Sequence, residues 1–549
     1  MTGTQRSIIY PARIIRTLDP ARPVAQAVAV RGDRILAVGS LAELRRYPGT
    51  AVDDRYADTV LLPGFVEAHS HTHSGGLWDN VYVGRFDRRD PDGRLWPGCA
   101  TTAQVLERLR EAERLLPPDP SVVLTAWGLD PIYYPGEQVL ARELDTVSTT
   151  RPIKVDHASG HIVVLNSAAL QRCGIAVSFG IEGVEVDAHG APTGELREFA
   201  AMALAAPLAP APDPAAFARA LARFGRDAVN NGVTTATDLG TELLMDDGGV
   251  AAYRAAVGED YPARLSVFHY GGGTVLPAQA ADRLQRLRGS GTDRLRMGHV
   301  KLFLDGSIQG FTARLQEPGY LNGQPNGLWS MPLQAFAAAF EDFHRAGLLV
   351  HVHCNGDEAT EVFLDVVEDI LARHPRPDHR HTVTHSQLST PAQYRRMAAL
   401  GVGANLFANH IRAWGDQHMD ITVGPDRAAR MNATATALRA GVPIALHSDT
   451  PVTEMAPLKS VQHAATRLTA SGRVMGGGER ISVAQGLHAV TLGAAYLLKM
   501  DHEVGSLEPG KFADLAVLAE DPFQRPAAEV GSIAVAGTMV GGRHCVAAV

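Results

Sequence analysis

His69, His71 and His73 stand at alternate positions in "PGFVEAHSHTHSGG" (63–76), directly after an apolar run. On a strand, residues two apart share a face. Imidazoles gathered there offer lone pairs to a metal ion, or they are ordinary polar residues at a loop entrance. Further along, polar residues recur where apolar runs stop. "MGHVKLFLDGS" carries Lys301 and Asp305, "LLVHVHCNGD" carries His351 and His353, "HTVTHSQLS" carries His385, and "VPIALHSDT" carries His447 and Asp449. Several histidines with a carboxylate suit Zn²⁺ or a similar divalent ion, whereas Mg²⁺ and Ca²⁺ prefer oxygen ligands. Lys301 is anomalous in such company, because an ammonium repels cations. Carboxylated by CO₂ it becomes a carbamate with two oxygens that can bridge two ions. The alternative is a plain pairing with Asp305.

These residues need a scaffold that collects strand ends. The middle of the chain repeats one cadence, a helical pattern ending in Gly followed by an apolar run. "RFGRDAVNNG" leads into "VTTATDLG", "FAAAFEDFHRAG" into "LLVHVHCNGD", "YRRMAALG" into "VGANLFANH", and "ATALRAG" into "VPIALHSDT". Gly just past a helix marks its C-terminal cap, and continuous apolar strands belong to parallel sheets covered on both faces. The cadence predicts an α/β fold, a (β/α)₈ TIM-like barrel over 63–490, with an insertion around 75–230. A doubly wound open sheet is the alternative. Within the insertion, "SVVLTAWG" and "PIKVDHASGH" read as further barrel strands and the Ala/Pro-rich stretch 199–216 as a linker. Residues 1–62 and 491–549 read as short strands with hairpin turns, forming a small β-sandwich domain from both termini.

Composition narrows the partners. The 549 residues carry a formal charge of −8, which disfavours nucleic acid and anionic membranes and leaves a small-molecule substrate. Four scattered cysteines predict no structural disulfide and a reducing cytoplasm. No secretory h-region and no membrane-spanning run is apparent.

Taken together, "PGFVEAHSH", "VKLFLDGS", "HVHCNGDEA", "THSQL" and "HSDTPV" resemble the amidohydrolase superfamily. More narrowly they resemble its YtcJ-like branch (amidohydrolase family 3), which includes N-substituted formamide deformylase. "SGHIVVLNSAAL" (159–170) and "DAHGAPTGELRE" (187–198) are similar to stretches of that branch, and "GSLEPGKFADLAVL" to its return to the small β domain. The resemblance implies two divalent ions, Zn²⁺ first among them. His69, His71 and Asp449 would hold one ion, and His353 and His385 the other. Lys301 would bridge them as a carbamate. It also implies metal-assisted hydrolysis of a carbon–nitrogen bond other than a peptide bond, an N-acyl or N-formyl amide, with Asp449 as proton shuttle. A homodimer is a family-level expectation.

Around that set, His161, Gln309, His410, Trp414 and His447 are expected to face substrate, and His73 to line the entrance. His447 stands where the branch often has Gly. His351 reads as packing, Cys354 as a buried apolar thiol, Asp305 as a helix cap and Asp357 as the N-cap of its helix. A deaminase or a lactonase of the same superfamily, and a non-catalytic barrel protein, are the rival readings.

Overall fold

The computed structural model describes residues 7–175 and 181–548. Eight parallel strands run in chain order around one sheet. They are β1 (Phe65–Glu67), β2 (Val233–Thr241), β3 (Arg264–Tyr270), β4 (Leu295–Phe303), β5 (Val350–Cys354), β6 (Thr382–His385), β7 (Gly403–Leu406) and β8 (Ile444–Leu446). Helices cross over between them. The glycines that end the predicted helical patterns, Gly232, Gly347, Gly401 and Gly441, all have φ between 71° and 81°. That left-handed conformation carries no Cβ penalty for Gly, so each helix stops where its strand must begin.

The two end strands do not pair along their length. The sheet closes just beyond them. The Asp449 amide donates to the His69 carbonyl (3.0 Å) and the His71 amide to the Thr450 carbonyl (3.0 Å), with Ser70 and Thr450 forming a parallel bridge. Outward-facing Val267, Val300, Leu302, Val350, Val352 and Val383 pack under helix residues Phe336, Phe340, Phe343 and Phe363, all fully buried. Inside, Val66, Leu239, Phe268 and Ala445 pack on Ala494, Ala495 and Leu497, so the helix Leu492–Leu497 plugs the barrel floor. Only the C-terminal end of the strands is left open.

Both termini contribute to a second, mixed sheet of eight strands. Val60–Pro63 pairs antiparallel with Leu515–Leu518 at its centre, joining the N-terminal and C-terminal contributions. This sheet is tied to the barrel by Arg264 on β3. Its Nε donates to Asp514 Oδ2 (2.7 Å) and its Nη2 to Asp514 Oδ1 (3.0 Å), and its guanidinium lies 3.4 Å from the centre of the Phe512 ring.

A third sheet corrects one expectation. Leu124–Leu129 and Ile153–His157 are not barrel strands. They pair with each other and with Val81–Tyr82, Ile162–Leu165, Pro192–Arg197 and Val184–Val186 in a separate six-stranded sheet inside the insertion. The stretch read as a linker is largely helical as well: Glu198–Met202 is α-helix, Ala203–Leu208 a 3₁₀ helix, and Pro214 opens the helix Pro214–Asn230. Among the described residues no helix is long and apolar enough to cross a membrane.

The Arg264–Asp514 pair is almost fully buried, each side chain being 2% exposed. Truncating one partner strands the other's charge, at a cost of about 3–5 kcal/mol. Asp514→Ala is therefore expected to lower the midpoint of chemical denaturation followed by far-UV circular dichroism. A midpoint equal to that of the parent would show that the pair does not hold the terminal sheet to the barrel.

Candidate metal centre

Beyond β1 the backbone carries His69 and His71 along the closing seam, and beyond β8 it carries Asp449 along the other side. Both imidazoles direct Nε2 at the same carboxylate oxygen, Asp449 Oδ1, each at 3.2 Å. His385, the last residue of β6, brings Nε2 to 3.8 Å from Asp449 Oδ2. The His69 and His385 rings lie 4.9 Å apart, and those of His353 and His385 4.4 Å apart. Residues separated by hundreds of positions thus meet at the mouth of the barrel, as the motif spacing predicts.

Two of these residues sit in an unusual backbone conformation. His385 has φ 71° and Asp449 φ 52°. Left-handed non-Gly residues cost about 1–3 kcal/mol each and persist only where neighbours over-determine them. The seam bond to the His69 carbonyl fixes Asp449, and the Ser386 amide donating to the Cys354 carbonyl (3.1 Å) fixes the turn after His385. Two of the left-handed non-Gly residues thus aim their side chains into the cluster.

His447 belongs to the cluster. One ligand atom from each of His69, His385, His447 and Asp449 lies within 4.8 Å of the others. Its tautomer follows from its neighbours. Asn405 Nδ2 donates to the Ala68 carbonyl (3.1 Å), which leaves Asn405 Oδ1 to accept from His447 Nδ1–H at 2.9 Å. His447 Nε2 then keeps a lone pair, 3.2 Å from His385 Nδ1. A proton on His385 Nδ1 satisfies that contact and leaves His385 Nε2 free to face Asp449. A bonded partner that fixes ring and tautomer is the usual support of a metal-binding histidine.

Burial holds the imidazoles neutral. His69, His353 and His385 are pushed well below the ordinary histidine value by burial, with neighbouring cationic groups adding to the shift, and His447 is pushed down to about 3. Burial would raise the Asp449 carboxyl, but the adjoining His71 outweighs it and holds the group below its usual range. Lys301, on β4, is wholly buried, and burial takes it down to about 7 against the pull of Asp449. Its Nζ rests 4.8 Å from the centre of the Phe303 ring.

Buried polar atoms ordinarily find partners. Lys301 Nζ and Asp449 Oδ1 have no hydrogen bond. Neutral nitrogen lone pairs beside an ionised carboxylate form the donor set of a zinc site, and a cation among them satisfies Asp449. The residues present fit a divalent ion. His353 is less free. Its Nε2 sits 3.1 Å from the Gly306 carbonyl and 3.0 Å from the Asn355 amide nitrogen.

A cavity of about 510 Å³ opens over the cluster, and His73, His161, Gln309 and His410 all line it. His161 Nδ1 lies 2.9 Å from Glu198 Oε2. Burial alone would lower the pKa of this imidazole, yet the Glu198 charge and hydrogen bond raise it. Trp414 is placed differently: its Nε1 donates to Asp130 Oδ2 (2.7 Å) and it lines a neighbouring cavity instead. His351 donates to or accepts from no cavity group; its Nε2 lies 3.1 Å from the Leu497 carbonyl at the floor, and Cys354 is a buried core thiol.

The N-cap expectation for Asp357 is overturned. Gly356, not Asp357, is the N-cap of the helix Asp357–Arg373. Asp305 accepts from the Asn355, Gly356 and Arg314 amides, so the carboxylate that holds the helix entry comes from the end of the preceding strand. Asp357 instead pairs with Arg427 (3.3 Å) and accepts from the Gln316 amide. Three contributors were not singled out from the sequence. Asn405 is a lone amide in an apolar strand. Glu198 ends the "PTGELRE" stretch. Glu67 lies two residues before His69 and accepts from the His69 and Ser448 amides across the seam, its carboxyl pushed up to about 8 by burial.

Comparison with known proteins agrees with this architecture. A model of the amidohydrolase family matches residues 57–546, and one of bacterial imidazolonepropionase-like composite domains matches residues 27–49 in the terminal sheet. The chain is 28% identical to protein LONG AFTER FAR-RED 3 of Arabidopsis thaliana, across 99% of this chain and 94% of that one. It is 26% identical to the putative amidohydrolase YtcJ of Bacillus subtilis, across 97% and 98%, and 27% identical to N-substituted formamide deformylase of Arthrobacter pascens, across 99% and 98%. Among solved structures, an uncharacterised metal-dependent hydrolase from Pyrococcus horikoshii superimposes with a TM-score of 0.71 at 19% identity, covering 95% of this chain and 99% of that one. By the family model that spans its barrel and the C-terminal half of its terminal sheet, the chain belongs to the amidohydrolase family and is related to its YtcJ-like branch.

Proposed function

We propose that this protein hydrolyses a non-peptide carbon–nitrogen bond, an N-acyl or N-formyl amide of a small molecule. The observation that carries the reading is the convergence of His69 and His71 on Asp449 beside a buried amine, Lys301, that has no partner of its own. In this reading His69, His71 and Asp449 hold one zinc ion, and His353 and His385 hold a second. Lys301, carboxylated, would complete the donor set between them. When bound, the ions supply Lewis acidity that polarises the amide carbonyl and lowers the pKa of water.

The chain's own groups do the rest. An amine brought down to about 7 by burial is neutral in a substantial fraction at neutral pH, and the neutral form is the one that adds CO₂, releasing a proton. Asp449, ionised and open to the cavity, accepts a proton from the attacking water and returns it to the departing nitrogen, a general acid–base role worth about 10²–10⁴ in rate. His447 and Asn405 keep His385 in the tautomer that presents Nε2. Gly306 and Asn355 must release His353 Nε2 for it to serve the second ion.

One observation favours a second reading. One cluster of ligand atoms, from His69, His385, His447 and Asp449, contains three imidazoles and a carboxylate but no lysine, and in this reading His447 Nε2 would turn from His385 Nδ1 to the ion. That is the outline of a single-ion centre, as a deaminase would use, with Lys301 remaining an amine.

Metal analysis separates the two. The proposed centre is expected to hold close to two zinc ions per chain, and Lys301→Met to lose at least one of them. ¹³C-labelled bicarbonate should give a carbamate signal in the parent that is missing in the variant. Because carboxylation consumes the neutral amine, reactivation of chelator-stripped enzyme by zinc and bicarbonate should speed up as pH rises through 7. One ion per chain, no carbamate signal and ammonia release from an amino-substituted ring would establish the single-ion reading instead. Asp449→Asn is expected to cut turnover of an N-formyl or N-acetyl amide by about 10²–10⁴ with the fold intact. Near-parental turnover would remove the proton shuttle.

A further inference from the structure

A second cavity, of about 740 Å³, adjoins the one over the metal cluster, and Trp127, Pro451 and Val452 are walls of both. Pro451 and Val452 follow Asp449 by two and three residues. Arg88 of the insertion holds them in place: its Nη1 donates to the Pro451 carbonyl (2.5 Å) and its Nη2 to the Val452 carbonyl (2.9 Å). The shared wall is therefore held in place, and the two cavities meet along it two residues from Asp449.

The charge on the outer wall is uneven. Arg85, Arg88, Arg412 and Lys459 face Asp87 and Glu454. Most of these are already engaged. Lys459 pairs with Glu454 (2.6 Å), Asp87 accepts from the Gly98 amide (2.8 Å), and Arg88 holds the shared wall. Arg412 donates from Nη1 to the Thr469 carbonyl (2.7 Å) and makes no ion pair among the described residues. Arg85 makes neither hydrogen bond nor ion pair among the described residues. Two guanidiniums thus open onto one cavity without a carboxylate. Beside them Phe86, 38% exposed, meets Tyr133 edge-on with ring centres 5.6 Å apart. The Tyr133 hydroxyl is occupied by the Ala413 carbonyl (2.8 Å), so the residue presents its ring.

We propose that this outer cavity is the subsite for the distal part of the substrate, and that it selects an aryl group bearing a carboxylate. The ring packs on Phe86 and Tyr133, and the carboxylate pairs with Arg85 and Arg412. A planar guanidinium matches a carboxylate through parallel N–H donors, and aromatic contacts orient the ring. The proposal rests on the amide-hydrolase reading only for what happens at the inner end; the outer subsite binds whatever reaction occurs there.

A matched pair of unreactive probes tests it. 4-(Hydroxymethyl)benzoate and benzyl alcohol differ only in the carboxylate, and Trp127 and Trp414 on the cavity walls report binding by intrinsic fluorescence. With metal-loaded wild-type enzyme the carboxylate probe should bind about tenfold or more tightly, the scale of one charge-assisted hydrogen-bonded pair. Arg85→Gln/Arg412→Gln should erase that preference and leave benzyl alcohol unaffected. Equal affinity of the two probes for the wild type overturns the subsite, with no variant needed. Turnover of 4-(acetamidomethyl)benzoate and N-benzylacetamide adds the second arm. A preference for the acid that resides in KM supports both readings. Carboxylate-selective binding with neither amide hydrolysed keeps the subsite and overturns the amide chemistry. Hydrolysis of both amides with equal KM overturns the subsite and keeps the chemistry.

Discussion

The site depends on how the barrel is closed. β1 and β8 are only three residues long, too short to complete a sheet by their own pairing. Closure falls to the residues after them, and those residues are His69, Ser70 and His71 on one side and Asp449 and Thr450 on the other. The backbone bonds that shut the cylinder are the ones that set two imidazoles against one carboxylate. A barrel that failed to close here would lose the juxtaposition of His69 and His71 with Asp449. Fold and site share one set of hydrogen bonds.

Such a seam buries polar groups that a closed apolar sheet would not contain, and each needs an answer. Glu67 receives the amides of His69 and Ser448 from the two sides of the seam. Asn405 reaches from β7 to the Ala68 carbonyl and turns its oxygen toward His447, which in turn fixes His385. The chain of contacts runs from backbone to amide to imidazole to ligand. It explains how the left-handed turns at His385 and Asp449 are tolerated, since the surroundings leave them no relaxed alternative. Burial, which keeps water from stabilising a charge, holds His69, His353, His385 and His447 neutral.

Much of this was legible in the sequence because it is local. A helix that ends in a left-handed Gly and hands over to an apolar strand leaves a mark within about a dozen residues, and Gly232, Gly347, Gly401 and Gly441 behave as that mark predicts. The polar residue at each strand end is equally local, so His69, Lys301, His353, His385 and Asp449 could be picked out as a set. What was misread is non-local. "SVVLTAWG" and "PIKVDHASGH" have the texture of barrel strands, but sheet membership is decided by partners rather than by propensity. Asp305 and Asp357 were equivalent by type and position relative to a strand end. Only the path of the loop 305–316 makes Asp305 the acceptor for three amides and leaves Asp357 to Arg427.

The misread strands are also what gives the protein its own character. Had they joined the barrel, the rim would have been a ring of loops. As a separate sheet they raise a wall that carries Trp127, His157 and His161 over the metal cluster and, through Tyr82 and Arg88, reaches the turn after Asp449. The side chains of the candidate metal cluster come from the barrel and its seam, whereas the outer cavity is walled jointly, by Arg85, Phe86 and Tyr133 of the insertion and by Arg412, Trp414 and Val452 beyond barrel strands. These two parts have separate cores: the barrel's is built on Val267, Val300 and Phe340, the insertion's on Val83, Leu109, Leu129 and Val155. The two meet where Ile132 and Tyr133 of the insertion pack on Phe407, Ala413 and Trp414, so the outer cavity is walled by both. A wall with its own core sets side chains beside the strand ends without taking part in the barrel's closure.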